Sequence, residues 1–319
     1  VNNISKKGIY GSKVMTIYVS EEAHSSIDKG MDILGLGKTN LRKIKVDKNF
    51  QIKPSKLRKT INQDIKKGYQ PIGVIGIAGT TNTGSIDPLD KLARISRKYN
   101  LWFMVDAAYG GAAAKIPNLI KNFRGLEKAD SLLINPHKWL FVPFEVACVL
   151  VKNKKHLKKT FSLVPEYLTG GKSKSDREDL MDYNIQLSKD FKALKVWMTF
   201  KTYGEKKLMN AIKNDIKVTK YAEKIVNDSK DFIALHSVTL SIFCFQYIGS
   251  NKYKNISKLN SVILDLIEKD GRIFLSGTKI NNEYSLRINC INHRRTKQDI
   301  DFLFMVLREI GREAELSLI

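Results

Sequence analysis

Leu101-Trp102-Phe103-Met104-Val105-Asp106-Ala107-Ala108-Tyr109-Gly110-Gly111 is an apolar run that stops at a carboxylate and then turns through small residues. Its length and composition read as a buried strand, Leu101–Val105, with Asp106 at its carboxyl end. Working backwards, Asp87 can cap a helix that carries Pro88 at its first position and Leu89, Leu92, Ser96 and Tyr99 along one face. Before it, Pro71–Ala78 is a β-rich run punctuated by Gly73 and Gly76, followed by the polar loop Gly79-Thr80-Thr81-Asn82-Thr83-Gly84. Pro54 opens a helix that runs to Lys67 and closes at Gly68. Leu41–Val46 and Lys13–Ser20 read as strands, and His24–Leu34 reads as a helix. Repeated strand–helix alternation predicts βαβ units, and hence an α/β fold with a mostly parallel sheet covered on both faces.

Downstream the pattern changes. Thr160–Tyr183 is a long polar stretch containing Gly170-Gly171, and it reads as a mobile loop or lid over 160–183. Helical spacing resumes from Leu187 to Tyr203 and breaks at Gly204. A helix (Lys206–Val226), a strand (Val238–Tyr247) and a helix (Ile256–Glu268) follow. Two strand candidates, Ile273–Leu275 and Tyr284–Ile291, precede a last helix, Lys297–Glu313, with Ile300, Phe304, Val306 and Ile310 inward. The expected division is a large domain over residues 1–204 and a small α+β domain over 205–319. No internal repeat is visible.

Composition narrows the function classes. A chain of 319 residues with 43% hydrophobic content buries a real core. No uncharged apolar run reaches about 18 residues, so no transmembrane helix is expected. The N-terminus lacks the features of a signal peptide and does not start with Met, which reads as a partial or processed chain. Three cysteines (Cys148, Cys244, Cys290) stand at no metal-like spacing, which points to reduced, buried thiols, no metal site and a cytoplasmic setting. The net charge of +23 is spread along the whole chain without interleaved aromatic residues. Specific nucleic-acid binding is therefore not expected, although a positive surface favours anionic ligands such as phosphate esters.

In parallel sheets ligands bind beyond the carboxyl ends of the strands. Thr80-Thr81, Asp106 and His137-Lys138 each fall where a predicted strand stops. Lys138 lies in Asn135-Pro136-His137-Lys138-Trp139, flanked by apolar residues that would lower the cost of losing its proton. Asp106 closes an apolar run and needs a fixed cationic partner. A Schiff-base lysine and an aspartate on a pyridinium nitrogen are what pyridoxal phosphate chemistry asks of a protein. Small Ala107 and Ala108 would let a flat ring approach. The plain alternatives are a lysine snorkelling from a strand end and an aspartate in an ordinary ion pair or cap.

Five segments occur in the order found in group II pyridoxal-phosphate-dependent amino-acid decarboxylases. They are Ala23-His24-Ser25-Ser26, Gly79-Thr80-Thr81, Val105-Asp106-Ala107-Ala108-Tyr109, Asn135-Pro136-His137-Lys138-Trp139 and Leu286-Arg287. The chain most resembles the aromatic-L-amino-acid decarboxylase branch, over nearly its whole length. The resemblance implies a fold-type I large domain with a smaller C-terminal α+β domain, pyridoxal 5'-phosphate as cofactor, a small amino-acid substrate, and a homodimer with the site at the subunit interface. It implies Lys138 as the Schiff-base lysine and Asp106 as the pyridinium partner. It also implies His24 stacked on one face of the ring with Ala108 on the other, Thr81 near Asp106, and Asn135 and His137 beside the cofactor, Asn135 near its phosphate. Tyr167, in Val164-Pro165-Glu166-Tyr167-Leu168, resembles the loop tyrosine that enters the neighbouring subunit's site and returns a proton after carbon dioxide leaves. Related aldehyde synthases carry phenylalanine there, so Tyr167 and His24 favour simple decarboxylation. Arg287 matches a family position, but on an apolar strand it reads here as half of a structural ion pair. Family members also carry an upstream segment whose loop binds the cofactor phosphate, and this chain begins after it. An aldehyde synthase, or an inactive fragment lacking that loop, are the alternatives.

Overall fold

The computed structural model describes residues 4–162, 178–249 and 254–318. After a short helix, α1 (Ile4–Lys7), the chain alternates β1 (Met15–Ser20), α2 (Ser26–Ile33), β2 (Leu41–Ile44), α3 (Pro54–Lys66), β3 (Gln70–Ile77), α4 (Leu89–Lys98), β4 (Trp102–Asp106), β5 (Ser131–Ile134) and β6 (Cys148–Val151). The sheet order is β2-β1-β3-β4-β5-β6. The first five strands run parallel and β6 pairs antiparallel with β5 at the edge. Parallel direction puts the carboxyl ends of β1, β3, β4 and β5 on one edge, where loops rather than ladders finish the backbone.

Alternation along β4 turns Phe103 and Val105 to one face. There they meet Leu57 and Ile61 of α3 and Leu89 and Leu92 of α4 in the main core. A smaller cluster on Val19, Ile75 and Ile77 with Met31 of α2 covers the other face. Cover on both faces therefore holds over β1 and β3. It does not extend to the far edge, where Val149 and Leu150 of β6 are exposed.

Asp87 is not the cap its position before Pro88 suggests. Its buried carboxylate faces away from α4 and accepts the backbone N–H of Ile52 (2.8 Å) and of Ile77 (2.9 Å). Burial pushes this carboxyl up to about 7. Asp87→Ala strips two buried amides of their acceptor, an expected cost of about 3 kcal/mol near pH 5 by chemical denaturation. The folded pKa lies above the unfolded one. The stability linked to this proton is thus complete below pH ~4 and lost as pH rises through ~7. The gap between wild type and Asp87→Ala should narrow on going from pH 5 to pH 8.

Beyond β6 come α5 (Lys154–Phe161), α6 (Lys192–Asp228), β7 (Phe232–Ala234), β8 (Ile242–Tyr247), α7 (Ile256–Asp270), β9 (Ser276–Ile280), β10 (Glu283–Asn289) and α8 (Lys297–Ser317). β7-β8-β10-β9 form an antiparallel sheet, packed through Phe243, Phe245 and Leu286 on Leu259, Ile263, Phe304 and Leu307 of α7 and α8. The strand candidate at 273–275 lies instead at Ser276–Ile280, held by pairing with β10. Gly204 has a non-helical backbone (φ 71°, ψ 160°), so α6 is two helical stretches that meet at a kink there, where the sequence pattern breaks. The two cores divide further along that helix: Ile212 and Ile216 pack with the first sheet and Val218 with the second. Residues 163–177, including Tyr167, lie outside the described residues.

Candidate active site

A cleft of about 460 Å³ opens between the strand ends of the first sheet and the face of the second. His24, Thr81, Asp106, Ala108, Asn135 and Lys138 all line it, together with Tyr109, Ile242, Arg287 and Asn289. Residues up to 114 positions apart in the sequence (His24 to Lys138) are thus gathered on one rim by adjacent parallel strands.

Asp106 ends β4 beside β3 and β5. Its Oδ1 accepts the Ala108 N–H at 3.0 Å, and among the described residues it has no ion-pair partner. A largely buried carboxylate with one backbone donor retains an oxygen for a cation in the cleft. Lys138 stands in a tight turn after β5, where its N–H bonds the Asn135 carbonyl (2.9 Å) and its own carbonyl takes the Phe141 N–H (3.3 Å). Its amine is half-buried and, among the described residues, meets no carboxylate. Among the described residues, Asn135 Oδ1 is buried without a partner. The close approach of the strand ends depends on Gly110, whose N–H bonds the Ala78 carbonyl (3.1 Å); a side-chain carbon there would run into that carbonyl.

His24 precedes α2. Its Nδ1 accepts the Ser26 N–H (3.1 Å) and lies 2.9 Å from Ser26 Oγ. A ring nitrogen that accepts a backbone N–H is taken up on that side, which leaves Nε2 as the ring nitrogen open to other partners. His137 is not part of the cleft lining: its Nδ1 accepts the Val146 N–H (2.9 Å) and its ring packs on Phe144 (centroids 4.8 Å apart). Its side chain holds the chain after the lysine turn.

Arg287 departs from the structural ion pair expected of it. Its guanidinium donates to the Thr81 carbonyl (2.7 and 3.1 Å), the Asn82 carbonyl (3.3 Å) and Ser276 Oγ (3.1 Å), and to no carboxylate among the described residues. Burial lowers its pKa, so a negative partner in the cleft would be welcome. Asn82 completes the seam between the sheets by accepting from Thr278 Oγ1 (2.9 Å) and donating to Glu22 (3.1 Å).

Tyr109 lines the cleft and Trp139 is buried, and the part these two rings play together is not apparent in the sequence. Their rings stack at 4.7 Å and 1°. Tyr109 Oη bonds Ser241 Oγ and also Asn289 Oδ1 (3.3 Å), both from the second-sheet side, and Trp139 Nε1–H bonds Asp215 of α6 at 2.9 Å. No local pattern marks Asp215, which is 76 positions from its partner.

Among the described residues, an amine without an acid, a carboxylate without a base, an unpartnered amide oxygen and a small alanine at one cleft fit a flat group with an aldehyde, a ring nitrogen and an anionic arm. Lys138 and Asp106 would hold its two reactive ends. Among the described residues no cluster of His, Cys, Asp and Glu could hold a metal ion, and no helix is long and apolar enough to cross a membrane.

Residues 3–248 match the family model described as the pyridoxal-dependent decarboxylase conserved domain. An aromatic-L-amino-acid decarboxylase of Bacillus atrophaeus is 33% identical over 304 residues, covering 94% of this chain and 63% of that protein. A phenylacetaldehyde synthase of a Rosa hybrid cultivar is 35% identical over 284 residues, covering 86% of this chain and 56% of that protein. The crystal structure of Catharanthus roseus tryptophan decarboxylase in complex with L-tryptophan superposes with a TM-score of 0.88 at 25% identity, over 97% of this chain and 65% of that one. The chain thus spans about 63% of the length of the first of these relatives. Fold, cleft and sequence agree: the chain belongs to the pyridoxal-dependent decarboxylase family.

Proposed function

We propose that this chain provides the lysine-bearing site of a pyridoxal-phosphate-dependent carboxy-lyase that converts an L-amino acid, of the aromatic class, to its amine and carbon dioxide. The observation that carries the reading is Lys138 and Asp106 lining one cleft, neither in an ion pair among the described residues. Pyridoxal phosphate, when bound, supplies an aldehyde for amines and a ring that accepts the electron pair left by a departing carboxylate. The chain does the rest. Lys138 holds the cofactor and, once displaced, remains as a local amine. Asp106 keeps the ring nitrogen protonated. Ala108 leaves room for the ring on one side, and His24 supplies an imidazole on the other. Asn135 offers an amide to the anionic arm, while Thr81 and His137 act through the loops they anchor. Arg287 directs its uncommitted N–H groups at the substrate carboxylate. Tyr167 returns a proton from Oη to the carbon that lost carbon dioxide.

Aromatic substrates are supported by apolar Ile242 and Ile291 on the cleft wall and by the names of the relatives. A homodimer is part of the same proposal, supported by the exposed Leu187, Phe191, Trp197 and Met198 in and just before the first half of α6. A cytoplasmic setting is supported by three free cysteines.

The test incubates the full-length gene product with pyridoxal phosphate and a panel of L-amino acids. Equal amine and carbon dioxide, without peroxide, are expected. Peroxide and ammonia would establish the aldehyde-synthase reading instead, and no turnover on any amino acid would sink both. Arg287→Met should raise KM about tenfold or more with a smaller change in kcat, because a charge-assisted contact is lost on binding.

A further inference from the structure

We propose that Asp215 is a positioning residue: by clamping the Trp139 indole from helix α6 it sets where the adjacent Lys138 amine stands in the cleft. The inference rests on the decarboxylase reading for its consequence, but not for its geometry. Trp139 is fully buried, so its indole N–H needs an acceptor inside the protein. Asp215 Oδ2 provides it at 2.9 Å, while Oδ1 has no partner among the described residues. A fully buried carboxylate bonded to a single indole is costly for stability alone, since an apolar side chain would fill the space more cheaply. What it gains is direction. The bond holds the indole stacked parallel to the Tyr109 ring, and Tyr109 is three residues after Asp106. The stack thereby couples the lysine turn to the aspartate arm, and Tyr109 Oη carries the link to Ser241 and Asn289.

The clamp is also sensitive to pH. An ionised carboxylate holds an N–H about twice as strongly as a neutral one. Burial raises the Asp215 carboxyl to about 6, against the opposing pull of the Trp139 bond and of Arg295 ahead of α8. The other titratable groups facing it are Tyr109 and Cys290, both pushed up by burial and so neutral here. Protonation of Asp215 below about pH 6 therefore loosens the indole.

The test uses full-length protein in which Trp102 and Trp197 are replaced by phenylalanine, so that Trp139 is the single tryptophan of the three in this chain. Its emission should titrate with a midpoint near pH 6, and Asp215→Asn should abolish the transition while circular dichroism is retained. Emission that is flat from pH 5 to pH 8 overturns the clamp. The second measurement is the rate at which Lys138 captures pyridoxal phosphate, trapped by borohydride and located by mass. Asp215→Asn and Trp139→Phe should each slow it about tenfold, and the double variant no further than either alone. Effects that multiply in the double variant overturn the proposal. Trp139→Phe keeps the ring and leaves Asp215 in place, so it also reports if Asp215→Asn fails to fold. Intact titration and capture without amine release would count against the decarboxylase reading alone.

Discussion

Lys138→Ala in the full-length protein is expected to end amine and carbon dioxide release, with kcat lower by at least ~10³-fold. The reason is that, among the described residues lining the cleft, Lys138 is the only lysine, and Arg287 cannot give up its proton. The turn that carries Lys138 is built from backbone bonds to Asn135 and Phe141 and from the burial of Trp139, none of which uses the lysine side chain. The melting temperature of the apo protein should therefore hold within a few degrees. Lys138→Arg separates charge from nucleophilicity, since it keeps the cation and loses the amine. It should be as inactive as Lys138→Ala. Substantial turnover in Lys138→Arg, measured as trapped carbon dioxide, would show that the amine is not required.

Asp106→Asn should lower kcat by roughly 10²–10³-fold while keeping the fold. Asparagine is close to isosteric and its Oδ1 can still accept the Ala108 N–H, so only the charge is removed. That charge has no cation of the protein's own to meet among the described residues, so its burial is a cost to the apo protein. The apo variant should accordingly melt above wild type, while added pyridoxal phosphate should stabilise it less than it stabilises wild type. This opposite movement of stability and turnover marks a carboxylate retained for function. If apo Asp106→Asn melts below wild type and gains as much from the cofactor, Asp106 has a structural partner instead.

Much of the first sheet was legible because its strands announce themselves. Phe103, Val105, Val74 and Ile77 sit in short apolar runs, as strands covered on both faces must, and α4 shows Leu89, Leu92 and Ser96 at helical spacing. The edge strand β9 was not legible in the same way, although β2, at the edge of the first sheet, was. Ser276–Ile280 has a polar, glycine-containing sequence and is a strand only because β10 pairs with it. Asp87 shows the limit of local signals. An aspartate before Pro88 looks the same whether it caps the helix or, as here, reaches the amides of Ile52 and Ile77. In the cleft, Lys138, Asp106, His24, Thr81, Ala108 and Asn135 could be named from motifs at strand ends. His137 could be named too, but not that its ring would turn to Val146.

By itself the sequence determined the alternation of elements, the strand ends that carry polar groups, and the presence of an amine and a carboxylate at two of those ends. Those are properties of short segments, fixed by apolar periodicity and by the residue types that terminate each run. Tertiary structure alone decided which of these groups share a cleft and what the rest of the wall contributes. Arg287 reaches the Thr81 carbonyl across 206 positions, and Asp215 reaches the indole beside Lys138 across 76. Contacts of that kind depend on how two sheets and one bent helix pack, and packing sums over distant parts of the chain that no local window contains.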